Sequence, residues 1–174
     1  MKLSLSLKFI ITYILLGITG FILLNTAGAQ LVEDHIISRE SSRLYTSATS
    51  LASTKAIRSY RDAETLQATQ EMLEAVAQTD KIDILILDTQ GMLVMDTSSD
   101  AENTTAQLKN FNPAASSNSF YTIDNFFGHY AANQLNVTVP ITINMSTRGY
   151  VSLHEPMTQV LADREQMLFL ILRF

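Results

Sequence analysis

The side chains best suited to recognition chemistry sit in one short stretch. Phe126, Phe127, His129 and Tyr130, with Tyr121 just before them, combine flat apolar surface with an imidazole and phenol groups. Aromatic walls with a few convergent polar groups are how small-molecule pockets are built, so Tyr121, Phe126, His129 and Tyr130 are candidate ligand-binding residues. The same residues also read as a core cluster around a hydrogen-bonded histidine. His35 and His154 fall near the two ends expected at a membrane. They read either as groups that titrate with external pH or as incidental surface histidines.

Other chemistry is thin. There is no cysteine, which excludes disulfides, zinc–thiolate sites and thiol catalysis. The spacing of His35, His129 and His154 matches no metal-ligand pattern, so no metal and no cofactor are expected. No G-x-S-x-G, H-E-x-x-H or P-loop occurs, and no catalytic residue is assigned. Between Asp80 and Glu102 there are six acidic residues against Lys81 alone. That run is either a cation-responsive surface near anionic lipid or a solvated face, with Asp88 stabilising a turn. Asn103, Asn136 and Asn144 each open an N-x-Ser/Thr triplet, a frequent chance pattern. A net charge of −5 argues against nucleic acid as a partner, because binding it needs a basic stripe.

The elements that must position these residues begin with an apolar run from Leu7 to Leu24, interrupted only by Lys8. As a helix it reaches about 27 Å, close to the hydrocarbon thickness of a bilayer. Lys2 and Lys8 are the only charges before Glu33, which predicts a cytoplasmic amino terminus. Residues 1–29 therefore read as an anchor, or as a cleaved signal sequence ending at Ala27-Gly28-Ala29. Residues 30–165 form one domain outside the membrane. Residues 166–174, with the apolar run Met167 to Leu172, read as the start of a second membrane helix. The expected location is the cell membrane.

From Gln30 to about Tyr60 the absence of Pro and Gly predicts a long helix. Ile37, Leu44 and Leu51 recur every seven residues, with Ser41 and Ala48 between them. This seam either meets a second copy of the chain or packs the helix on its own domain. Asp62 and Glu64 read as the start of a second helix, with Leu66, Met72, Leu73 and Val76 on one face and Asp80 at its end. Ile82 to Leu87 is a buried strand, Asp88-Thr89-Gln90-Gly91 a turn closed by a glycine of positive φ, and Met92 to Met95 the return strand. Thr97 to Ser119 is a polar loop. Leu135, Val137, Val139, Ile141 and Ile143 alternate with polar residues in a long strand, where Pro140 implies an edge or a bulge. Met145 to Gly149 is a turn, Tyr150 to His154 the last strand, and Glu155-Pro156 the start of a helix carrying Met157, Val160, Leu161, Arg164 and Leu168 on one face. The fold class is α+β, an antiparallel sheet with helices on one side.

The strand–D-x-x-G–strand hairpin Ile84 to Val94 resembles that of extracytoplasmic PAS-like (Cache) sensor domains, and Val139-Pro140-Ile141 with Gly149-Tyr150-Val151 is similar to their terminal strands. The layout matches over about Leu31 to Arg164. The resemblance implies a homodimeric sensor region of a membrane-bound histidine kinase, responding to a small-molecule or peptide signal and passing it through its membrane helices. It also leaves open the ligand-binding region of a chemoreceptor. Outside the resemblance, a non-signalling membrane-anchored envelope domain is the competing class.

Overall fold

The computed structural model describes residues 5–58, 63–98, 107–113 and 120–162. Three helices, α1 (Leu5–Ser53), α2 (Lys55–Arg58) and α3 (Ala63–Asp80), precede five strands: β1 (Asp83–Asp88), β2 (Leu93–Asp96), β3 (Thr122–Asp124), β4 (Gln134–Ile143) and β5 (Ser146–Pro156). The strands form one antiparallel sheet in the order β2-β1-β5-β4-β3. A helical segment, residues 157–162, follows β5.

The apolar run and the helix that follows it are one uninterrupted helix of 49 residues. Its first half exposes Phe9, Tyr13, Leu16, Phe21 and Leu23, and it is apolar enough and long enough to cross a membrane. Thr12, Thr19 and Thr26 return their hydroxyls to the carbonyls of Lys8, Leu15 and Ile22 at 2.9 Å. Those bonds remove the hydroxyl penalty in an apolar surrounding. The helix stops short of Tyr60. Ser53 and Thr54 donate their hydroxyls to the carbonyl of Ser50, and the Thr54 amide turns to Leu51, so side chains compete with the backbone ladder there.

The second half of α1 lies across one face of the sheet. Ile36, Ile37, Leu44 and Ala48 pack with Leu73 and Ala77 of α3 on Ile84, Ile86, Met95, Val137, Val139, Ile141, Val151 and Leu153. Leu44, Ser41 and Ala48 have no exposure, and the small pair lets the helix backbone approach the strands. Each fully buried Leu or Ile contributes about 1.5–3 kcal/mol. Of the seven-residue seam, Ile37 and Leu44 face the chain's own sheet and Leu51 packs at its margin. On α3 the buried stripe is Thr69, Leu73 and Ala77, with Met72 and Val76 partly buried. Leu66 lies off that stripe and is exposed.

The hairpin β1–β2 and its turn form as the sequence predicts. Gly91 has φ +77°, and a Cβ there would stand 2.5 Å from Cβ of Phe111. Pro140 meets both of its expected conditions. Among the described residues β3 pairs with β4 only at Gln134–Asn136, which leaves β4 an edge at Pro140, and the β4–β5 register shifts between Ile141 and Thr142. Three further points differ from the sequence reading. The β4–β5 turn is the pair Asn144–Met145, both at positive φ, so Ser146 to Gly149 already belong to β5. A two-residue loop of that conformation matches the twist of the strands it joins. Glu155 and Pro156 end β5 rather than opening the helix. The strand β3 inside the aromatic stretch is the third difference, and its three residues are too few to show a period. Asp62, the loop residues 99–106 and 114–119, Arg164, Leu168 and the second apolar run lie outside the described residues.

Candidate functional site

The face of the sheet away from α1 carries the polar and aromatic side chains. Register places His154 on β5 opposite Asp83 of β1 and Asn136 of β4, and Asn136 opposite Thr122 of β3. One residue pair along, Leu85 stands between Ser152 and Asp96. Because side chains alternate across a strand, Leu85, Leu87, Asp96, Asn136, Thr138, Tyr150, Ser152 and His154 share this face.

A cover closes over it from residues 107–111 and 125–130. Leu108, Phe126 and Tyr130 are buried against Leu85 and Leu87, with Phe111, Phe127, Leu93 and Tyr150 partly buried around them. The Leu108 amide donates to the Gly91 carbonyl, and Gln107 bridges to Met92, which ties the first segment to the hairpin turn. The second segment is wound tightly: Asp124 Oδ1 accepts from the Phe126 amide at 2.7 Å, and the Tyr130 amide donates to the Asn125 carbonyl. Phe126 and Phe127 are forced to φ +46° and +55°. Consecutive bulky residues in the left-handed region are strained, by about 1–3 kcal/mol each. Burial of Phe126, whose ring centre lies 4.2 Å from that of His154, holds the strain in place.

Under the cover runs a row of polar groups. The Asn136 amide nitrogen donates to Asp124 Oδ1 at 2.8 Å, so its carbonyl oxygen is the acceptor toward His154 Nδ1 at 2.7 Å. That pairing puts the proton on His154 Nδ1 and leaves a lone pair on Nε2. His154 is fully buried, and burial pushes its pKa down to about 3, with His129 adding to the fall and Asp96 opposing it. The ring is neutral. Its Nε2 has no hydrogen-bond partner among the described residues, and neither has His129 Nδ1. His129 Nε2 lies 3.3 Å from Asp96 Oδ2. Burial would raise the Asp96 carboxyl, but hydrogen bonds from His129 and Ser98 outweigh it and hold the group below its ordinary value.

The space between sheet and cover is small: a cavity of about 60 Å³ lined by Thr122, Asp124, Phe126, Phe127 and Thr138. Small-molecule pockets are typically about 300–1,000 Å³, so a ligand here must displace the Phe126–Phe127 segment. An open cleft of about 370 Å³ meets the other side of Asp96, between Glu74 and Ala77 of α3 and Ile82 and Asp83. Among the described residues no group of three His, Asp or Glu side chains could hold a metal ion.

Of the residues singled out from sequence, the fold brings Phe126, His129 and Tyr130 together. Tyr121 is separated from them. It precedes β3 with the opposite side-chain parity to Thr122 and packs toward the α1 face, beside Phe120. His35 is exposed on α1, whereas His154 is no surface histidine but the centre of the row. Asp88 is a turn residue, its Oδ1 accepting from the Gln90 and Met92 amides. Asp96, Asn136, Asp124 and His154 escaped the sequence reading as a group. They lie on four different strands, and only the pairing register brings them together.

The geometry is matched by solved structures of sensor domains. The E. coli DcuS sensor domain superposes with a TM-score of 0.55 at 17% identity, over 78% of this chain and 98% of that domain. The V. cholerae histidine kinase DctB sensor domain gives 0.59 at 14% identity, over 80% of this chain and 58% of that one. The sensory domain of the Campylobacter jejuni chemoreceptor Tlp3 gives 0.60 at 13% identity, over 84% of this chain and 65% of that one. The chain thus spans nearly all of the DcuS domain but less than two thirds of the DctB and Tlp3 domains. No family profile and no curated protein matches the sequence. At these identities the likeness establishes the fold: the long helix on a five-stranded antiparallel sheet is that of extracytoplasmic PAS-like sensor domains.

Proposed function

We propose that this chain is the signal-sensing region of a membrane-bound sensor histidine kinase. Residues 1–29 anchor it, residues 30–165 form the sensor domain outside the membrane, and residues 166–174 begin a second membrane helix. The observation that carries the reading is the division of labour between the two sheet faces. One face is packed by a helix continuous with the apolar anchor. The other holds a buried polar row beneath a strained aromatic segment. A ligand that opens the second face has a direct mechanical route to the first through β1 and β5, which line both.

The site's chemistry defines what it would take. His154 Nε2 and the carboxylates of Asp96 and Asp124 accept hydrogen bonds, and no Lys or Arg stands on the strand positions around them. Such a site favours a small molecule with N–H or O–H donors and repels a carboxylate that lacks them. Phe126, His129 and Tyr130 would contact it. The Tlp3 structure in complex with L-valine supports a small-molecule signal, since it pairs a similar fold with an amine-bearing ligand. The Tlp3 likeness equally favours a second reading, the ligand-binding region of a chemoreceptor. A homodimer belongs to either reading, through a surface other than Ile37 and Leu44.

A chimaera tests this: residues 1–174 joined to the cytoplasmic part of a histidine kinase, with autophosphorylation as the readout. The expected result is membrane-dependent kinase activity that changes in His154→Leu and Phe126→Ala variants. Activity indifferent to both, with the protein folded and inserted, would overturn the reading.

A further inference from the structure

We propose that Arg43, Glu40 and Glu155 form a clasp that sets the axial register of α1 against β5, and so of the incoming helix against the outgoing one. Arg43 Nη2 reaches across from α1 to Glu155 Oε2 at 2.8 Å, while its Nε bonds Glu40 one turn back on the same helix. Both carboxylates are buried, with side chains 10% and 6% exposed, whereas Arg43 is 38% exposed and Arg39, 3.6 Å from Glu40, is more so. Buried carboxylates are costly unless paired, so these two fix the guanidinium between them. Glu155 is held from the far side as well: Gln159, on the turn after β5, donates to Glu155 Oε1 and to the Lys81 carbonyl beyond α3. The clasp therefore joins α1, β5, the outgoing turn and the end of α3.

The buried cluster between α1 and the sheet is apolar, and buried Ser41 returns its hydroxyl to the Ser38 carbonyl of its own helix, so these contacts carry little directional preference along the helix axis. A guanidinium bridging two carboxylates does carry one, because Glu40 on the same helix holds its Nε while its Nη2 must meet Glu155 across the contact. The clasp is also poised. Burial raises Glu155, Arg43 opposes this and Glu40 adds to it, so the pair is held against a desolvation cost. A shift of α1 by one helical turn would carry Arg43 about 5.4 Å past Glu155. The clasp rests on this ion-pair geometry and not on the ligand reading, so either can fail alone.

The test uses the full chain in lipid nanodiscs, with spin labels at Leu31→Cys on α1 and Met145→Cys on the β4–β5 turn. Both positions are highly exposed, and the chain has no native cysteine. The distance between the labels reports the axial position of α1 against β5. Glu155→Gln is close to isosteric and leaves Arg43 paired with Glu40. It is expected to shift or broaden the distribution by several ångströms, with Arg43→Gln doing the same, the double variant no more, and Arg43→Lys less. If Arg43→Gln fails to fold, Glu155→Gln decides alone. A distribution unchanged in Glu155→Gln, with the circular dichroism of the parent, would overturn the proposal.

Discussion

His154 and Glu155 are consecutive residues of β5 that serve opposite faces of the sheet. His154 donates to the Asn136 side-chain carbonyl under the aromatic cover, while Glu155 accepts from the Arg43 guanidinium of α1. The pleat of a strand puts neighbours on opposite sides, so a backbone displacement at one is felt at the other without any intervening side chain. The residue pair thus places the candidate recognition face and the helix-holding face one peptide apart.

His154 should make the domain acid-labile. Its ordinary pKa is 6.5 and its folded value about 3, so the unfolded chain binds a proton that the folded one refuses. The stability this neutral ring supplies is complete above pH 6.5 and is lost as the pH falls from 6.5 toward 3, by up to about 1.4 kcal/mol per pH unit. Asp96, held low, adds a loss in the same direction only as the pH falls below its ordinary 3.8. Thermal unfolding of the full chain in detergent from pH 7.5 to 4 should show a falling midpoint. In His154→Gln the fall between pH 6.5 and 4 should largely vanish, although the variant starts lower.

Gly91→Val should be severe for two reasons that act together. Its φ of +77° is strained for a β-branched residue, and the new Cβ would meet Phe111 Cβ at 2.5 Å. Phe111 is part of the cover, so the substitution should loosen that segment as well as the hairpin. The expected loss exceeds about 2 kcal/mol, and Gly91→Ala should show a smaller loss of the same sign. A midpoint unchanged in Gly91→Val would mean that Phe111 and the turn yield freely.

Met145→Gly should stabilise the protein. Met145 is fully exposed and has φ +62°, so its side chain buries nothing while its backbone occupies the left-handed region. Glycine removes a strain of about 1–2 kcal/mol there, offset partly by greater freedom in the unfolded chain. Denaturant unfolding should give a higher midpoint with an unchanged slope. A lower midpoint would contradict the turn geometry.

The location of the domain is testable at the same residue. In intact cells Met145→Cys should react with a membrane-impermeant maleimide, whereas Lys2→Cys should react only after lysis. Labelling of both, or of Lys2→Cys alone, would reverse or abolish the proposed topology.

Local order was legible in the chain before any fold was known. The apolar run from Leu7, the Pro- and Gly-free helix, the buried strand Ile84–Leu87 and the Gly91 turn are each written in a contiguous stretch, where period and turn chemistry act over a few residues. The alternation from Leu135 to Ile143 likewise announced a strand with two unlike faces. Tertiary structure decided what those faces meet. The seam Ile37–Leu44 suits a second helix or a sheet equally well, because burial is non-directional, and only the folded chain shows the sheet taking it. Parity across the short β3 separated Tyr121 from Phe126, His129 and Tyr130. Register across β2, β1, β5, β4 and β3 gathered Asp96, His154, Asn136 and Asp124, and an α1–β5 contact spanning 112 residues of sequence joined Arg43 to Glu155. Hydrogen bonds and ion pairs of that range leave no local pattern, since each partner's own neighbours are indifferent to it.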